Sequence, residues 1–409
     1  MTRREIVAGI DIGTSNVRVI VGEIVTDRAV NIVGVGTSPS EGIRKGVIID
    51  LERTVESISK ATAEAERMVG TKIEAVNVGI VGSNIGLINN RGVVAVSRDD
   101  KEITEQDVER VLQAAKVIAL PQDREIVDVI PREFIVDGYD GIRDPVGMLG
   151  VRLEVEAMII TGAMTSLRNL LRCLSMSGHE VNSLILSALA NGEVCLSRDE
   201  KELGVFLIDL GGGTTEVALF KDGVLKDISV LPVGGDHVTN DMAVGMKTNF
   251  DVAEKVKTEY GFADASIVTD EREIEIDSIS GKEKHTISVK ELSTFIEPRI
   301  QEIMQLCKGE MAKMGYNQLP PGGVVLTGGV SLMQGITELA EHYFDSSVRV
   351  AQPEYLGVKS PIYSTAVGII HYVIRNQGSS GFYSKQDGKV SFFGNLWKRV
   401  KTFLADIWE

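Results

Sequence analysis

The chain has 409 residues, of which 43% are hydrophobic and 25% charged, and its formal net charge is −15. This length predicts two or three domains of about 150 residues each. The negative charge argues against a general nucleic-acid-binding protein, which needs basic patches for phosphate contacts. Cys173, Cys195 and Cys307 are too few and too far apart to predict a disulfide framework or a zinc site. Neither a signal peptide nor a membrane-spanning run of about 18 apolar residues is predicted.

The first half of the chain predicts a three-strand meander, a helix and an inserted unit at about 92–162. Asp50 is the expected N-cap of the first helix, and Gly70 follows its end. The letters TEQD at 104–107 predict a capping box inside the inserted unit. The predicted elements are strands 6–12, 17–25, 30–37 and 72–81, helix 51–69, strands 126–136 and 153–161, and helix 166–178.

The second half begins with the same pattern of three strands in a row. A helical stretch, a short hairpin and a long helix follow, and then a strand that ends in TGG. The predicted elements are strands 205–210, 215–221 and 224–233, helix 237–261, strands 267–276 and 285–289, helix 289–314, strand 324–326 and helix 332–342. Residues 376–391 have the Gly, Ser, Asn, Gln and Lys composition of a flexible linker.

Two stretches resemble each other, GIDIGTSNVRVIVGE at 9–23 and LIDLGGGTTEVALFKDG at 207–223. This repetition indicates two similar domains that face one another. A tight glycine hairpin lets backbone N–H groups approach phosphate oxygens, and nearby hydroxyls can add donors. Asp11 and Asp209, one from each domain, could hold Mg²⁺ through its waters. The hydroxyls in question belong to Thr14, Ser15, Thr214 and Thr215. The alternative is a pair of ordinary glycine-rich hairpins.

Three further motifs are weaker when taken alone. Gly328 and Gly329, in VVLTGGVSLMQG, suit close approach of a base or ribose, or an ordinary βα turn. The sequence GGDHVTND at 234–241 places two glycines at a probable helix start, where N–H groups favour anions. Glu254 and Lys257 lie one helical turn apart, which fits either a ligand contact or a surface ion pair.

The last residues, SFFGNLWKRVKTFLADIWE, predict an amphipathic helix over 392–409. At about 100° per residue the apolar side chains fall within one arc of about 160°. Two Trp and a basic cluster favour a helix that lies in the interface of an anionic membrane. The alternative is that this helix docks on its own domain or on a partner. The apolar face comprises Phe392, Phe393, Leu396, Trp397, Val400, Phe403, Leu404, Ile407 and Trp408, and the basic cluster Lys398, Arg399 and Lys401.

In order along the chain, these motifs resemble those of the actin/Hsp70/sugar-kinase ATPase superfamily over residues 6–375. They are two phosphate loops, an adenosine motif and two connecting helices, expected at Leu184–Leu196 and Pro361–Ile374. Within the superfamily the chain is similar to the FtsA family of bacterial cell-division proteins. The sequence GIRKGVIIDLERTVESISKA at 42–61, the inserted unit and the tail carry that resemblance.

The resemblance implies an α/β actin-like ATPase fold. Two duplicated domains would surround a nucleotide cleft, with an inserted α+β subdomain and a C-terminal amphipathic helix. The implied parts are the first domain core at 1–84 and 163–200, the inserted subdomain at 85–162, the second domain core at 201–236 and 304–375, a small subdomain at 237–303, a linker at 376–391 and the membrane helix at 392–409.

By the same resemblance ATP and Mg²⁺ are the expected cofactors. Asp11, Gly13, Thr14, Ser15 and Asn16 would line the first phosphate loop, and Asp209, Gly211, Gly212, Gly213 and Thr214 the second. Gly235, Glu254 and Lys257 would hold ribose and phosphates, and Gly328, Gly329 and Ser331 the adenosine. Polymerising relatives carry an acidic residue where this chain has Ser187 and Ala188, and neither of these can act as a general base. We therefore expect slow or negligible ATP hydrolysis.

The resemblance further implies an adaptor that polymerises on the cytoplasmic face of the cell membrane at the division site. It would tether FtsZ through the C-terminal peptide of that protein, bind anionic lipids and later division proteins, and not bind nucleic acid. Arg299, with Lys290 and Glu302 as neighbours, matches the FtsZ-peptide site, although an exposed salt bridge would explain all three. A pilus-assembly or cell-shape scaffold, or a small-molecule kinase, remains the alternative.

Overall fold

The computed structural model describes residues 5–26, 29–81, 85–269, 271–279, 284–377, 385–386 and 389–390. Within these ranges the chain forms two domains built on similar five-stranded sheets. A smaller unit with a four-stranded sheet is inserted into the first domain. The predicted linker lies mostly, and the predicted membrane helix at 392–409 wholly, outside the described residues.

The first domain begins with the predicted antiparallel meander. Helix α1 is confirmed at both ends, because the Asp50 side chain accepts a hydrogen bond from the backbone N–H of Arg53 and Gly70 is left-handed with φ 76°. A two-residue turn joins two very short strands just before that helix. The elements are β1 Ile6–Ile12, β2 Asn16–Thr26, β3 Ala29–Pro39, β4 Ile43–Arg44, β5 Val47–Ile48, α1 Leu51–Val69 and β6 Ala75–Ile80.

The inserted unit is a separate antiparallel sheet with its own core. Its strands follow the order β7-β10-β8-β9, and the single helix packs on β7 and β10. The capping box predicted at Thr104 is present, since the Asp107 carboxylate accepts from the backbone N–H of Thr104. The elements are β7 Ile85–Ala95, α2 Glu105–Ala115, β8 Arg124–Val136, β9 Tyr139–Ile142 and β10 Arg152–Ala163.

The chain then returns to the first sheet. Strand β11 pairs in parallel with β6 and completes the order β11-β6-β1-β2-β3. A helix that follows β11 leads toward the second domain. The elements are α3 Met164–Met176, β11 Glu180–Leu186, α4 Ser187–Cys195 and α5 Arg198–Leu203.

The second domain repeats the arrangement of the first. Its sheet order is β14-β13-β12-β17-β18, an antiparallel meander followed by two parallel strands. The elements are β12 Val205–Leu210, β13 Thr215–Lys221, β14 Val224–Leu231, α6 Gly235–Gly245, α7 Phe250–Tyr260, β15 Glu273–Asp277, β16 Lys284–Ser288, α8 Val289–Lys313, β17 Val324–Thr327, α9 Ile336–Phe344, β18 Val348–Val350 and α10 Ser364–Gln377, with a further strand pair β19 Lys385–Gln386 and β20 Lys389–Val390.

Helices α4 and α10 join the two domains and pack closely on each other. A Cβ on Gly368 of α10 would lie 2.1 Å from the carbonyl oxygen of Ala190 in α4, so only glycine allows this approach. Helix α10 also crosses the first sheet, where a Cβ on Gly9 would lie 2.6 Å from the carbonyl oxygen of Ala366. The last helix of the second domain is thus built into the first domain.

Several predicted boundaries differ from the structure. The first connecting helix was expected at Leu184–Leu196, but residues 184–186 belong to strand β11 and the helix begins at Ser187. A short run of wholly apolar residues does not distinguish a buried strand from a helix. The stretch 237–261 forms two helices, strand β15 begins at Glu273, and α9 begins at Ile336 after a 3-10 turn. Helix α10 runs to Gln377, two residues into the predicted linker. No helix among the described residues has the length and apolarity needed to cross a bilayer.

Candidate functional site

The two glycine hairpins have the same backbone turn. In the first, the N–H of Gly13 donates to the carbonyl oxygen of Asn16 at 3.1 Å; in the second, the N–H of Gly211 donates to that of Thr214 at 3.0 Å. A Cβ on either glycine would lie 2.9 Å from that same carbonyl oxygen. The sequence repeat is therefore a repeat of local structure, and glycine is required by close backbone approach in both copies.

The tips of the two hairpins meet across the boundary between the domains. A Cβ on Gly212 would lie 1.9 Å from the Ser15 hydroxyl oxygen, and one on Gly213 would lie 2.6 Å from the Thr14 hydroxyl oxygen. The second hairpin also supports the start of helix α6, because a Cβ on Gly234 would lie 2.4 Å from the carbonyl oxygen of Gly211. The glycines thus allow both domains to approach at one point.

A cleft of about 330 Å³ lies between the domains at these hairpins. Carboxylates, hydroxyls and backbone N–H groups of both domains line it. Its lining includes fifteen of the sixteen residues predicted to contact the cofactor: Asp11, Gly13, Thr14, Ser15, Asn16, Asp209, Gly211, Gly212, Gly213, Thr214, Gly235, Glu254, Lys257, Gly328 and Gly329.

Two aspartates lie at the strand ends, one in each hairpin. Burial raises the pKa of Asp11 to about 6, although Arg18, whose guanidinium is 3.7 Å from the Asp11 carboxylate, opposes this. Burial also raises the pKa of Asp209, and a hydrogen bond from Asn191 opposes the shift. The charge of Asp209 contributes to the raised pKa of Asp11. The two carboxylates therefore share one poorly solvated negative region that a cation would stabilise.

Two side chains of the cleft were missed in the sequence. Arg18 pairs across the first hairpin with Asp11, and Glu216 pairs across the second with Asp209. Burial, reinforced by the charge of Asp209, raises the pKa of Glu216 well above its usual value, and one of its carboxylate oxygens has no hydrogen-bond partner. Each of these residues stands seven positions after its aspartate, so antiparallel pairing across the repeated hairpin would have identified both.

Asn191 on helix α4 links the second aspartate to helix α10. Its amide nitrogen donates to Asp209 Oδ2 at 2.9 Å, and its amide oxygen accepts from the Thr365 hydroxyl at 3.1 Å. Asn191 is fully buried. No local sequence pattern indicates this contact, because the three groups come from three different elements. Asp209 is thus fixed by the two helices that join the domains.

Lys257 is the buried centre of a network that joins the partly exposed Glu254 to the start of helix α6. The Lys257 ammonium donates to the Gly235 carbonyl oxygen at 3.1 Å and to the Thr239 hydroxyl at 2.7 Å, and it pairs with Glu254 at 2.5 Å. Lys257 is only 7% exposed. The interpretation as a surface ion pair is therefore wrong, and the structure brings Gly235, Glu254 and Lys257 together at the cleft.

Two predicted roles, those of Ser331 and Thr215, change in the structure. Ser331 does not line the cleft, since it is buried and its hydroxyl donates to the Gly328 carbonyl oxygen at 2.7 Å. It fixes the shape of the glycine loop instead. The Thr215 hydroxyl donates to the Val233 carbonyl oxygen at 2.9 Å and is fully buried, so it is not free to serve a phosphate. Ser187 does line the cleft, but its hydroxyl donates to the Ile80 carbonyl oxygen at 3.0 Å.

Comparison with known proteins identifies the family. Residues 206–368 match the family described as "Cell division protein FtsA", and residues 82–161 match "SHS2 domain inserted in FTSA". The cell division protein FtsA of Bacillus subtilis is 46% identical over 381 residues, which cover 93% of this chain and 86% of that protein. FtsA of Escherichia coli is 35% identical, with 91% of each chain covered. This chain belongs to the FtsA family of cell division proteins.

Solved structures confirm the actin-like fold of this FtsA-family chain. A PilM–PilN type IV pilus biogenesis complex matches with a TM-score of 0.64 at 15% identity, covering 91% of this chain and 99% of that chain. MreB5 of Spiroplasma citri bound to ADP matches with a TM-score of 0.56 at 15% identity, covering 92% and 99%. Membership of the FtsA family favours the cell-division interpretation over a pilus, cell-shape or kinase function.

The residues expected to bind the FtsZ peptide are only partly brought together. The Arg299 guanidinium donates to both carboxylate oxygens of Asp241, at 2.7 and 3.2 Å, and also to Glu302. The hydrogen bond to Asp241 is the main cause of the raised pKa of Arg299. Lys290 is exposed in the first turn of the same helix, nine residues and about 13 Å before Arg299 along the axis. Lys290 is therefore not part of the Arg299 cluster.

A second cavity, of about 600 Å³, is larger than the cleft but lies away from the glycine hairpins. It lies where the inserted subdomain meets both actin-like domains, and the end of helix α10 forms part of its wall. Arg143 of the inserted subdomain pairs there with Glu202 at 2.8 Å. We take the smaller cleft as the candidate functional site, because only it combines paired hairpins with clustered carboxylates.

Proposed function

We propose that this FtsA-family chain binds Mg²⁺ and ATP in the cleft, polymerises on the inner face of the cell membrane and tethers FtsZ there. The observation that carries the proposal is the pair of matching glycine hairpins that close one cleft from two domains, each with a poorly solvated aspartate. Polymers would present many C-terminal segments at once, so that weak single contacts would sum to stable membrane attachment.

The residues of the cleft fit a metal-bound nucleotide. The carboxylates of Asp11 and Asp209 are poorly solvated, and one oxygen of Glu216 has no partner. Glycine N–H groups and the hydroxyls of Thr14 and Ser15 would donate to phosphate oxygens. When bound, Mg²⁺ would supply the positive charge that links these carboxylates, through water, to the phosphates.

Two side chains of the cleft support ATP binding without brisk hydrolysis, because neither is free to act as a general base for the attacking water. The Ser187 hydroxyl already donates to the Ile80 carbonyl oxygen and is not a base. In the ligand-free cleft burial favours the protonated form of Glu216, and once ionised its carboxylate would be held by the cation, so in neither state is it free to accept a proton from an attacking water. We expect Mg²⁺-dependent ATP binding with negligible turnover. Equilibrium binding of ATP with and without Mg²⁺, beside a phosphate-release assay, tests both statements, and rapid phosphate release would contradict the second.

Membrane attachment is assigned to the C-terminal segment 392–409. The test is co-sedimentation with anionic liposomes, with and without Mg²⁺ and ATP, for the full chain and for a chain that ends at Gln377. This end point retains the whole of helix α10. We expect only the full chain to pellet, and more of it with ATP. Neutral liposomes serve as the control. Equal pelleting of both chains would reject the segment as the anchor.

The FtsZ contact is assigned to the small subdomain at 237–303 around Arg299. Arg299→Glu would place a new carboxylate beside Asp241 and Glu302, and we expect affinity for the FtsZ C-terminal peptide to fall at least about tenfold. Lys313→Glu is the matched control, because it makes the same charge change near the end of the same helix. Unchanged affinity in Arg299→Glu, measured by fluorescence anisotropy, would reject this assignment.

A further inference from the structure

The turn between strands β4 and β5 has an unusual residue at its centre. Lys45 and Gly46 both have positive φ, 50° and 72°, as in a two-residue type I′ turn. Such a turn favours asparagine, aspartate or glycine at its first central position, because other side chains are strained there. Lysine is thus not explained by the geometry of the turn, and its exposed side chain is the feature to account for.

This turn contacts the tips of both glycine hairpins. The N–H of Gly46 donates to the Thr14 hydroxyl at 3.1 Å. A Cβ on Gly213 would lie 3.0 Å from the Cα of Lys45. The positive charge of Lys45 also reaches the second domain, where it adds to burial in lowering the pKa of His237. Lys45 therefore stands at the boundary between the domains, beside the groups that would bind phosphates.

The glycines predicted to lie at the nucleoside end, Gly328 and Gly329, have no atom of the β4–β5 turn among the nearest neighbours of their added Cβ atoms. The turn contacts the tips of the hairpins instead, at Thr14 and Gly213.

The charge of Lys45 is not matched by a carboxylate in the described part of the chain. The two basic side chains inside the cleft are already paired, Arg18 with Asp11 and Lys257 with Glu254. Among the residues that the structure describes, the Lys45 ammonium has neither an ion pair nor a hydrogen bond. A free ammonium beside two phosphate-binding hairpins is suited to pair with a group of high negative charge.

We propose that Lys45 binds the terminal phosphate of a nucleoside triphosphate and makes the cleft discriminate triphosphate from diphosphate. This inference rests on the proposed nucleotide site. A diphosphate bound in the same cleft lacks the phosphate group and the charge that Lys45 would pair with. The turn that carries Lys45 is held to the first hairpin by the Gly46 hydrogen bond, so the ammonium needs only side-chain rotation to reach the mouth of the cleft.

The test is equilibrium binding of ATP and of ADP, each with Mg²⁺, to the full chain. Lys45→Gly removes the charge and suits the positive φ, so the turn is preserved. Lys45→Arg keeps the charge. Lys101→Gly is the matched control, because Lys101 is also exposed with a positive φ of 61° but belongs to the inserted subdomain.

We expect Lys45→Gly to weaken ATP binding about tenfold and ADP binding less than about twofold. Lys45→Arg should stay within about threefold of the unsubstituted chain for both nucleotides, and Lys101→Gly should equal it. A Lys45→Gly protein that retains the ATP-to-ADP affinity ratio of the unsubstituted chain would overturn the Lys45 assignment and leave the nucleotide site intact. Failure of the unsubstituted chain to bind either nucleotide would overturn the site and the Lys45 assignment together.

Discussion

The two glycine hairpins share one backbone turn but differ in the charge that faces each aspartate. Asp11 is paired across its hairpin with the basic Arg18, whereas Asp209 is paired across its own with the acidic Glu216. The backbone hydrogen bonds that shape the turns differ by only 0.1 Å, 3.1 Å around Gly13 and 3.0 Å around Gly211. Geometry has thus been kept in the two copies while the electrostatics have diverged.

This difference indicates a division of labour within one cleft. Both hairpins can offer N–H groups to phosphates, which requires only the shared turn. The first hairpin partly compensates its own carboxylate, because Arg18 lies 3.7 Å from Asp11 and opposes the rise in its pKa that burial causes. In the second, burial and the charge of Asp209 favour the protonated form of Glu216 in the ligand-free cleft, and a bound cation would compensate both carboxylates once they are ionised. The four predictions below test this comparison, beginning with the largest expected effect.

The shared turn is tested by Gly13→Ala and Gly211→Ala. Each adds a Cβ 2.9 Å from the carbonyl oxygen of its own turn, so each should open its hairpin. Overpacking of this kind costs about 1–3 kcal/mol, and we expect each substitution to weaken ATP binding by about 10- to 100-fold in an equilibrium titration. Gly309→Ala is the control, because that glycine lies in helix α8 with no atom within 4 Å of its added Cβ. A loss confined to one hairpin would show that only one turn binds phosphate.

The second hairpin is tested by Glu216→Gln. The pKa of Glu216 is raised well above its usual value, so folding of the ligand-free protein must take up a proton once the unfolded side chain has ionised. Ligand-free stability should therefore fall as pH rises above about 4.5, and the fall should continue through the raised folded-state pKa. Glu216→Gln removes this cost and should raise the melting temperature at pH 7.5 by at least about 2–4 °C. A lower melting temperature would contradict the assignment.

The same glutamine substitution should weaken Mg²⁺-dependent ATP binding, since a neutral amide does not compensate a cation. Stability and binding should thus change in opposite directions, which separates this effect from ordinary damage to the fold. The matched control is Glu109→Gln, the same change at an exposed residue of helix α2 in the inserted subdomain. Its melting temperature should match that of the unsubstituted chain within about 1 °C.

The first hairpin is tested by Asp11→Asn, which should have a smaller effect on stability. The pKa of Asp11 is about 6 in the folded protein and 3.8 in the reference state, so its contribution to ligand-free stability falls between about pH 4 and 6 and then stays constant. Asp11→Asn should remove the share of the fall that is due to Asp11, which is confined to that window. Denaturant unfolding across pH measures it, with Asp99→Asn, at an exposed site of the inserted subdomain, as control. Identical profiles for Asp11→Asn and Glu216→Gln would remove the distinction between the hairpins.

The sequence predicts the parts of the site that repeat along the chain. The copies at 9–23 and 207–223 locate both aspartates and the four cleft glycines of the hairpins, because a phosphate turn requires a short local pattern. The register of each hairpin follows from the same pattern, so Arg18 and Glu216 were also within reach of it. The antiparallel meander that begins each sheet follows from the repeat as well.

Contacts between distant elements were not predictable in this way. Asn191 comes from helix α4 and Thr365 from helix α10, and only tertiary packing brings them to Asp209. The burial of Lys257 likewise depends on the start of helix α6, 22 residues away in the sequence. The Lys45 turn has no apolar periodicity, and its position at the cleft depends on contacts with both domains.

The attachment of the second hairpin is tested by Asn191→Ala, for which we expect the smallest effect on binding. This substitution removes the hydrogen bond to Asp209 Oδ2 and should weaken Mg²⁺-dependent ATP binding by about 3- to 10-fold, because the carboxylate is no longer held for the cation. Thr365→Val is the matched control. It removes only the donor to the amide oxygen of Asn191 and leaves the bond to Asp209, so it should cost less than about threefold. Binding measured over a Mg²⁺ series separates a loss of cation affinity, which excess Mg²⁺ would reverse, from a loss of nucleotide contacts, which it would not.

Because Asp11 has Arg18 beside it and not an amide, neither variant should alter the pH window assigned to Asp11. A change in that window would mean that Asn191 acts on both hairpins through the packing of α4 against α10, and the two carboxylates would then respond as one unit.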